Sequence, residues 1–368
     1  MKRLYIPLVA AMACSAAMAG TPAYINTSAN HIEMNGADWS ALRHSLANRL
    51  GGDSSVVRVL HIGDSHIQAE FVTNRLRQLL QERYGNAGRG LMAPLRLAGT
   101  NQSHDYAVTS PSKDWTQTRL LKLPWPIAAG VTGIAAAPAA NTTVTWHPLG
   151  DNHKIKHATV ISSNGVRDIA TTHPVDSLVT DVAAGEALYG AIVENGQPGL
   201  LYSAIGNNGA CFNDYLLVRD FAASTKIFAP ELIVLSMGTN EAFSYMTDEE
   251  IDRSITDLVR LLRHNNPDAA FLLLTPMECQ KNRNHGHKPL SPYYDINTRN
   301  AQVAKLIKEV AQREKLPVWD FYTVAGGEGC SAHWLDDALM NKDRIHLVKA
   351  GYELQAELLN AALAEQLP

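Results

Sequence analysis

The chain has 368 residues, 46% hydrophobic and 18% charged, a globular composition with ample material for a core. At about 100–200 residues per domain, this length predicts two domains, or one large domain with an insertion. The formal net charge of −4 becomes −6 once Lys2 and Arg3 are discounted, leaving 30 basic against 36 acidic groups. That acidic balance argues against nucleic acid or an anionic membrane surface as partner.

The chain starts MKRLYIPLVAAMACSAAMAG. Lys2 and Arg3 form a basic region, an apolar stretch follows, and Ala17-Met18-Ala19 reads as a cleavage site, so residues 1–19 are expected to be a secretory signal peptide. The expected location is the periplasm or the cell envelope. Cys14 raises the alternative of a lipid anchor, although Ala11-Met12-Ala13 lacks the usual leucine three residues before the cysteine. No later run reaches about 18 uninterrupted apolar residues, so no membrane insertion of the mature chain is expected.

A helix is predicted over 39–50, ending at Gly51-Gly52. Residues 56–68 read VVRVLHIGDSHIQ. Their β-branched and aliphatic run predicts a buried strand, and Gly63 breaks it. A helix follows over 71–84, with Val72, Leu76, Leu79, Leu80 and Tyr84 at helical spacing. Ser65 therefore falls on a strand-to-helix turn, at the strand ends where open α/β sheets carry their sites. A serine there is equally an ordinary turn residue or helix cap.

Residues 99–198 change texture: Thr, Ser, Pro and Gly are frequent and apolar runs are short and alternating, which predicts an inserted β-sandwich-like domain. Its Trp115, Trp125 and Trp146 could stack on sugar rings, but the core of a small sandwich is the favoured place for them. From Gly199 strands and amphipathic helices alternate. Strands are predicted at 200–205, 232–236, 269–275 and 317–322. Helices are predicted from 247, where Thr247-Asp248-Glu249-Glu250 forms a capping box, and over 294–314 and 352–364. This rhythm predicts right-handed βαβ crossovers and a parallel sheet flanked by helices, over residues 20–98 and 199–368. The β-rich stretch would interrupt that sheet between its first and second strands.

Three loops then lie at the carboxyl ends of predicted strands: Gly63-Asp64-Ser65-His66, Gly206-Asn207-Asn208-Gly209 and Gly238-Thr239-Asn240-Glu241. A fourth block, Asp343-Arg344-Ile345-His346, precedes the last helix. Acyl transfer by a serine needs a base on the hydroxyl, an acceptor orienting the base, and donors aimed at the developing oxyanion. An aspartate three residues before a histidine can reach the imidazole Nδ1–H and leave Nε2 for the serine. Each piece alone has a bland reading: a turn glycine, a cap, a surface ion pair. The four together, each beside a strand end or just before the last helix, are hard to attribute to packing.

GDSH at 63–66, the glycine loop at 206–209, GTNE at 238–241 and DRIH at 343–346 resemble the ordered blocks of the SGNH (GDSL-like) hydrolase superfamily. The resemblance implies a flavodoxin-like parallel sheet, Ser65 as nucleophile, Asp343 and His346 completing the triad, and Ser65, Gly209 and Asn240 as oxyanion donors. It implies no cofactor and no metal. His66 departs from the commoner GDSL pattern. GDSHIQA, GNAGRG at 85–90, AGGEGC before the last block, the β-rich stretch and the leader together resemble the peptidoglycan O-acetylesterases of Gram-negative bacteria. That implies removal of acetyl groups from the muramic acid C-6 hydroxyl of O-acetylated peptidoglycan, or of a related polysaccharide, with a carbohydrate-binding-like insertion. The alternatives are another exported carbohydrate or lipid esterase, and a cell-wall-binding protein whose SGNH portion is residual.

Other residues carry weaker signals. His285 and His287 are spaced to share a metal, but a loop is the better reading, and His61 is expected to be a satisfied core histidine. Gln68 and Glu241 adjoin the blocks and are candidates for shaping the pocket. Beyond residue 19 three cysteines remain: Cys211, Cys279 and Cys330. All three are expected on the active-site side of the sheet. A Cys279–Cys330 bridge, pinning the loop that carries Asp343, is the expected pairing.

Overall fold

Residues 20–150, 154–282 and 294–368 are described by the structure, a computed structural model. The expected leader with Cys14, and the His285–His287 pair, lie outside the described residues.

The chain begins with a two-residue strand β1 (Ile32–Glu33), helix α1 (Ser40–Leu50) and strand β2 (Val56–Gly63), then the short helix α2 (Ser65–Gln68) and helix α3 (Phe71–Tyr84). Strand β3 (Gly90–Met92) leads into the β-rich stretch: β4 (Tyr106–Thr109), β5 (Trp115–Arg119), β6 (Ile134–Pro138), β7 (Thr142–Pro148), β8 (Ile155–Ser162), β9 (Gly165–Val175), β10 (Leu178–Val182) and β11 (Leu188–Glu194). The α/β rhythm returns with β12 (Gly199–Gly206), α4 (Phe221–Ser224), β13 (Leu232–Ser236), α5 (Thr239–Phe243), α6 (Asp248–Asn265) and β14 (Ala270–Leu274). A small hairpin β15 (Gln280–Asn282) and β16 (Tyr294–Ile296) precedes α7 (Arg299–Arg313), β17 (Val318–Trp319), α8 (Phe321–Val324), α9 (Cys330–Asp336) and α10 (Lys349–Ala364).

The main sheet has the order β1-β17-β14-β13-β2-β12. Five strands are parallel, and β1 closes one edge antiparallel to β17. In order of appearance the parallel strands run second, first, third, fourth, fifth, the flavodoxin-like arrangement, with its crevice beyond the carboxyl end of the first strand. Here that end is Gly63, flanked by Gly206 of β12 and Ser236 of β13.

Both sheet faces are covered, which is why these strands read as continuous apolar runs. Along β2, Val57 and Val59 pack with Leu42, Leu76, Leu80 and Leu359 from α1, α3 and α10. Leu60 and Ile62 point the other way, into Ile251, Ile255, Leu258, Val303 and Ile307 from α6 and α7. The β-rich stretch folds as two antiparallel sheets, β10-β7-β4 and β5-β6-β11-β8-β9, with β3 added on β11. Val144 and Trp146 of one sheet share a core with Ala158, Val160 and Ala191 of the other, so the two face each other as a sandwich.

Three predicted boundaries shift for identifiable reasons. Tyr294–Ile296, expected to open a helix, pairs instead with Gln280–Asn282. Asn297 then turns the chain, donating its side-chain amide to Ala242 O at 2.9 Å, and α7 starts at Arg299. The predicted strand at 317–322 keeps only Val318–Trp319, because Asp320 accepts from Thr323 N and caps α8. The last helix begins at Lys349, one turn before the predicted start. The capping box at Thr247 and Glu250 forms as its sequence pattern implies.

A close backbone approach lies under Ser65. A Cβ on Gly206 would stand 2.1 Å from the Gln68 backbone nitrogen, and one on Gly63 2.5 Å from Ser236 O. The Gly63 Cβ would also meet Ile67 Cγ1 at 2.2 Å, so helix α2 sits directly on the ends of β2 and β12. Gly206→Ala is expected to lower the unfolding free energy by about 1–3 kcal/mol, the usual cost of overpacking. A denaturation midpoint equal to wild type would contradict this contact.

Candidate active site

Ser65 opens α2, and the Asp64 carboxylate before it caps the helix by accepting from His66 N at 2.9 Å. The Ser65 hydroxyl lies 2.8 Å from His346 Nε2. His346 Nδ1 lies 2.8 Å from Asp343 Oδ2, while Asp343 Oδ1 accepts the backbone N–H groups of Ile345 and His346, each at 3.0 Å. Three residues separated by up to 281 positions thus form one hydrogen-bonded line. Burial opposes the charge on Asp343, but its three hydrogen bonds outweigh it and hold the carboxyl at about 2. The Asp343 hydrogen bond raises the His346 pKa above its ordinary value, against partial burial.

The turn carrying Asp343 is tight and anchored. Arg344 adopts φ +61°, Asn341 N donates to His346 O at 2.8 Å, and Met340 pairs with Leu347. Arg344 reaches out of the turn to Gln280 Oε1 at 2.6 Å and stacks over the Tyr294 ring. Gln280 donates to Ser331 Oγ at 3.0 Å, and Ser331 in turn bonds the buried Glu278, which also accepts Gly329 N at 2.8 Å.

This chain of hydrogen bonds holds the turn where a disulfide was expected. Cys211, Cys279 and Cys330 are all free, buried thiols, so the expected Cys279–Cys330 bridge is corrected. Cys279 Sγ instead points at Ile345 O, 3.6 Å away. Burial pushes all three thiols up, Cys330 to about 12, which keeps them protonated.

Of the candidate oxyanion donors, the backbone N–H groups of Ser65 and Gly209 donate to no partner among the described residues. Gly209 has φ +84°, which favours glycine, and a Cβ there would meet only the movable end of the exposed Leu121 side chain, at 2.8 Å. Asn240 lies in the first turn of α5, with Nδ2 donating to Ala210 O at 3.0 Å and, more loosely, to Asp64 Oδ2 at 3.3 Å. An incoming oxyanion reaches that amide only by replacing the longer contact. Asp64 is buried and pushed up to about 7 by that burial, against the His66 N–H bond.

Gln68 and Glu241, the candidates for shaping the pocket, are both buried and bond the backbone that follows β12. Gln68 Oε1 accepts Asn208 N at 2.8 Å, beside Gly209. Glu241 is fully buried, accepts Phe212 N at 2.7 Å, and is pushed up to about 8 by burial. His66 has both ring nitrogens occupied, Nδ1 with Tyr352 OH at 2.9 Å and Nε2 near Thr239 Oγ1 at 3.4 Å. Burial, aided by His346 nearby, takes its pKa down to about 3, so it stays neutral. His61 is buried as expected but only half satisfied: Nδ1 meets Tyr202 OH at 2.6 Å, and Nε2 has no partner among the described residues. Trp146 is a core residue with its indole N–H on Thr180, whereas Trp115 and Trp125 are half-buried against their cores.

The GDSL-like lipase/acylhydrolase family model matches residues 164–354, just over half of the chain. The chain belongs to that family. The matched stretch contains Gly209, Asn240, Asp343 and His346 and leaves Ser65 before it, because the β-rich stretch separates β2 from β12. Among solved structures, one titled as a peptidoglycan O-acetylesterase in action has the same fold with a TM-score of 0.79, at 22% identity over 91% of this chain and 98% of that one. A lipase/acylhydrolase from Enterococcus faecalis matches 46% of this chain and 78% of its own, at 21% identity and TM-score 0.35. An acetyl xylan esterase matches 45% of this chain and 81% of its own, at 16% identity and TM-score 0.35. No curated protein matches the chain. As a GDSL-like acylhydrolase with this fold, the protein is a carboxylic ester hydrolase.

No helix among the described residues is long and apolar enough to cross a membrane. The free thiols have a direct check. Alkylation of the unfolded protein without reductant is expected to label Cys211, Cys279 and Cys330, with the folded protein protected at all three. A peptide in which Cys279 and Cys330 remain joined would restore the bridge.

Proposed function

We propose that this protein is an exported serine esterase that removes O-acetyl groups from peptidoglycan. Ser65 is the nucleophile, His346 the base, Asp343 its orienting carboxylate, and the N–H groups of Ser65, Gly209 and Asn240 the oxyanion donors. The observation that carries this reading is the line Ser65 Oγ–His346 Nε2–His346 Nδ1–Asp343 Oδ2, with 2.8 Å at both contacts. Two N–H groups that donate to no partner among the described residues, those of Ser65 and Gly209, support the oxyanion assignment.

His346 Nε2 takes the Ser65 proton as Oγ attacks the acetyl carbonyl carbon. The carbonyl electrons move onto oxygen and are held by the three donors. As the tetrahedral adduct collapses, the sugar oxygen leaves with the proton from His346, and acetyl remains on Ser65. Water, deprotonated by His346, attacks the acetyl-enzyme, and Ser65 leaves as its hydroxyl with release of acetate. No metal or cofactor is part of this sequence.

The substrate assignment draws on the sequence blocks GDSHIQA and AGGEGC, and on the likeness in fold over nearly the whole chain to the structure titled as a peptidoglycan O-acetylesterase. We place residues 1–19 as the secretory signal and the enzyme in the periplasm or cell envelope. Residues 99–198 are assigned as a carbohydrate-binding-like inserted domain.

Acetate release from O-acetylated peptidoglycan should exceed release from acetylated xylan, and Ser65→Ala should abolish both. A preference for xylan overturns the substrate, and near-wild-type activity in Ser65→Ala overturns the mechanism. The pH profile adds a second check. The base works only when neutral, so kcat/KM should fall as pH drops through the His346 pKa, which lies above the ordinary value of about 6.5. Asp343→Asn removes the charge that raises this pKa. It should move the acid limb to lower pH and cut kcat by about 10⁴-fold. An unmoved limb would show that His346 is not the titrating base.

A further inference from the structure

The glycine loop after β12 is held by more than its own strand. The side chain of Gln68, buried at the end of α2, faces it with a polarity that the surrounding groups fix. Its Oε1 accepts Asn208 N, while Nε2 donates to Thr100 Oγ1 at 2.9 Å and to Asn101 Oδ1 at 2.7 Å. Turning the amide over would set its oxygen against Asn101 Oδ1 and its NH₂ against the Asn208 N–H, so only one orientation satisfies all partners. Asn101 Oδ1 also accepts from Asn208 Nδ2 at 2.7 Å. The neighbouring Asn207 is buried and donates Nδ2 to Thr132 O at 3.0 Å. Leu121 lies against Gly209 itself. Three separate points of the β-rich stretch, near 100–101, at 121 and at 132, thus converge on Asn207, Asn208 and Gly209.

We infer that Gln68 and Asn101 are positioning residues for the oxyanion donor at Gly209, and that the β-rich stretch thereby completes the acyl-transfer site in addition to any contact it makes with glycan. This rests on the proposed role of Gly209. The physical reason is that the preceding peptide sets the direction of the Gly209 N–H, and a φ of +84° at a glycine is not enforced by side-chain sterics. Hydrogen bonds to both the backbone and the side chain of Asn208 supply the missing constraint. An oxyanion donor acts at full strength only when it is fixed in place before the charge develops.

The test uses a small aryl acetate, which presents no glycan, so a purely carbohydrate-binding role of the β-rich stretch cannot influence the result. Gln68→Met keeps the length and burial of the side chain and removes its hydrogen bonds. Its kcat should fall about ten- to a hundredfold, short of the 10²–10³ for deleting a donor outright, with KM changed less than about twofold. Asn101→Ala should lower kcat in the same direction by a smaller factor. Asn101→Asp keeps the acceptor for Gln68 and Asn208 and should restore most of the loss, which a merely structural role would not predict. Asn101 lies at the surface, so its two variants decide the matter even if Gln68→Met does not fold. Wild-type kcat in Gln68→Met, or in Asn101→Ala when Gln68→Met is unfolded, overturns the inference. So does a loss confined to KM on polymeric substrate. Ser65→Ala separates the two claims: activity surviving there removes the proposed mechanism, whereas its loss beside an unaffected Gln68→Met removes only the positioning role.

Discussion

Everything at the site depends on how closely helix α2 can sit on the sheet. The ends of β2 and β12 are paired in register down to Gly63 and Gly206. At both, a Cβ would fall well inside contact distance of α2 or of β13. Two glycines therefore let one turn of helix settle into the crevice that the strand order opens. Asp64 caps that turn, Ser65 begins it, and Gln68 ends it against the next loop. Raising α2 by the width of a methyl group would detach the Ser65 hydroxyl from His346 and the Gln68 amide from Asn208 in the same movement.

Much of this was legible in the sequence because the signals were local. The buried parallel strands announce themselves as unbroken apolar runs, and α3 and α6 by helical spacing, the latter with its capping box. Three of the four blocks could be aligned with strand ends because each sits within a few residues of one, and the fourth directly precedes the last helix. The structure brings Ser65, Asp343 and His346 into hydrogen-bonding distance and sets Asn240 against Asp64 and Ala210. What escaped is non-local or depends on one side chain choosing between partners. Asp320 gives its carboxylate to α8 and ends β17 early, and Tyr294–Ile296, apolar at plausible helix positions, prefers the hairpin with Gln280–Asn282. Nothing in the spacing of Glu278, Gln280, Ser331 and Arg344 reveals that they form one line of hydrogen bonds. The expected disulfide failed for the same reason. Nearness to one end of the sheet does not bring two sulfurs into bonding geometry, and polar side chains already tie that loop.

The β-rich stretch explains why the family signal begins late in the chain. The match opens at residue 164, within that stretch, and the Ser65 turn stands about a hundred residues earlier. A stretch of this length between two neighbouring strands is thermodynamically tolerable because the cost of closing a loop grows only with the logarithm of its length, and because this one has a core of its own around Trp146, Val160 and Leu188. Its ends leave α3 and return to β12 beside each other, where β3 pairs with β11 and Asn86 bridges to Leu200. That junction is at the amino end of β12, and Leu91 N bonds Ser203 Oγ farther along it, so the β-rich stretch approaches the glycine loop by running beside the strand.

The three candidate oxyanion donors are not equivalent, and the difference bears on how such a site separates ground state from transition state. Ser65 N–H and Gly209 N–H stand ready, whereas the Asn240 amide is committed to Ala210 O and, at 3.3 Å, to Asp64. A neutral ester carbonyl is a weak competitor for the Asp64 contact. A full oxyanion is a strong one, since hydrogen bonds to ionised acceptors are roughly twice as strong as neutral ones. In the proposed reaction Asn240 therefore changes partner as charge develops, so its contribution falls mostly on the transition state, where binding accelerates the step. Burial lifts Asp64 to about 7, which weakens its hold on the amide near neutral pH by favouring its protonated form. The same burial that makes Asp64 a rigid cap for α2 thus keeps it from competing too well with the oxyanion.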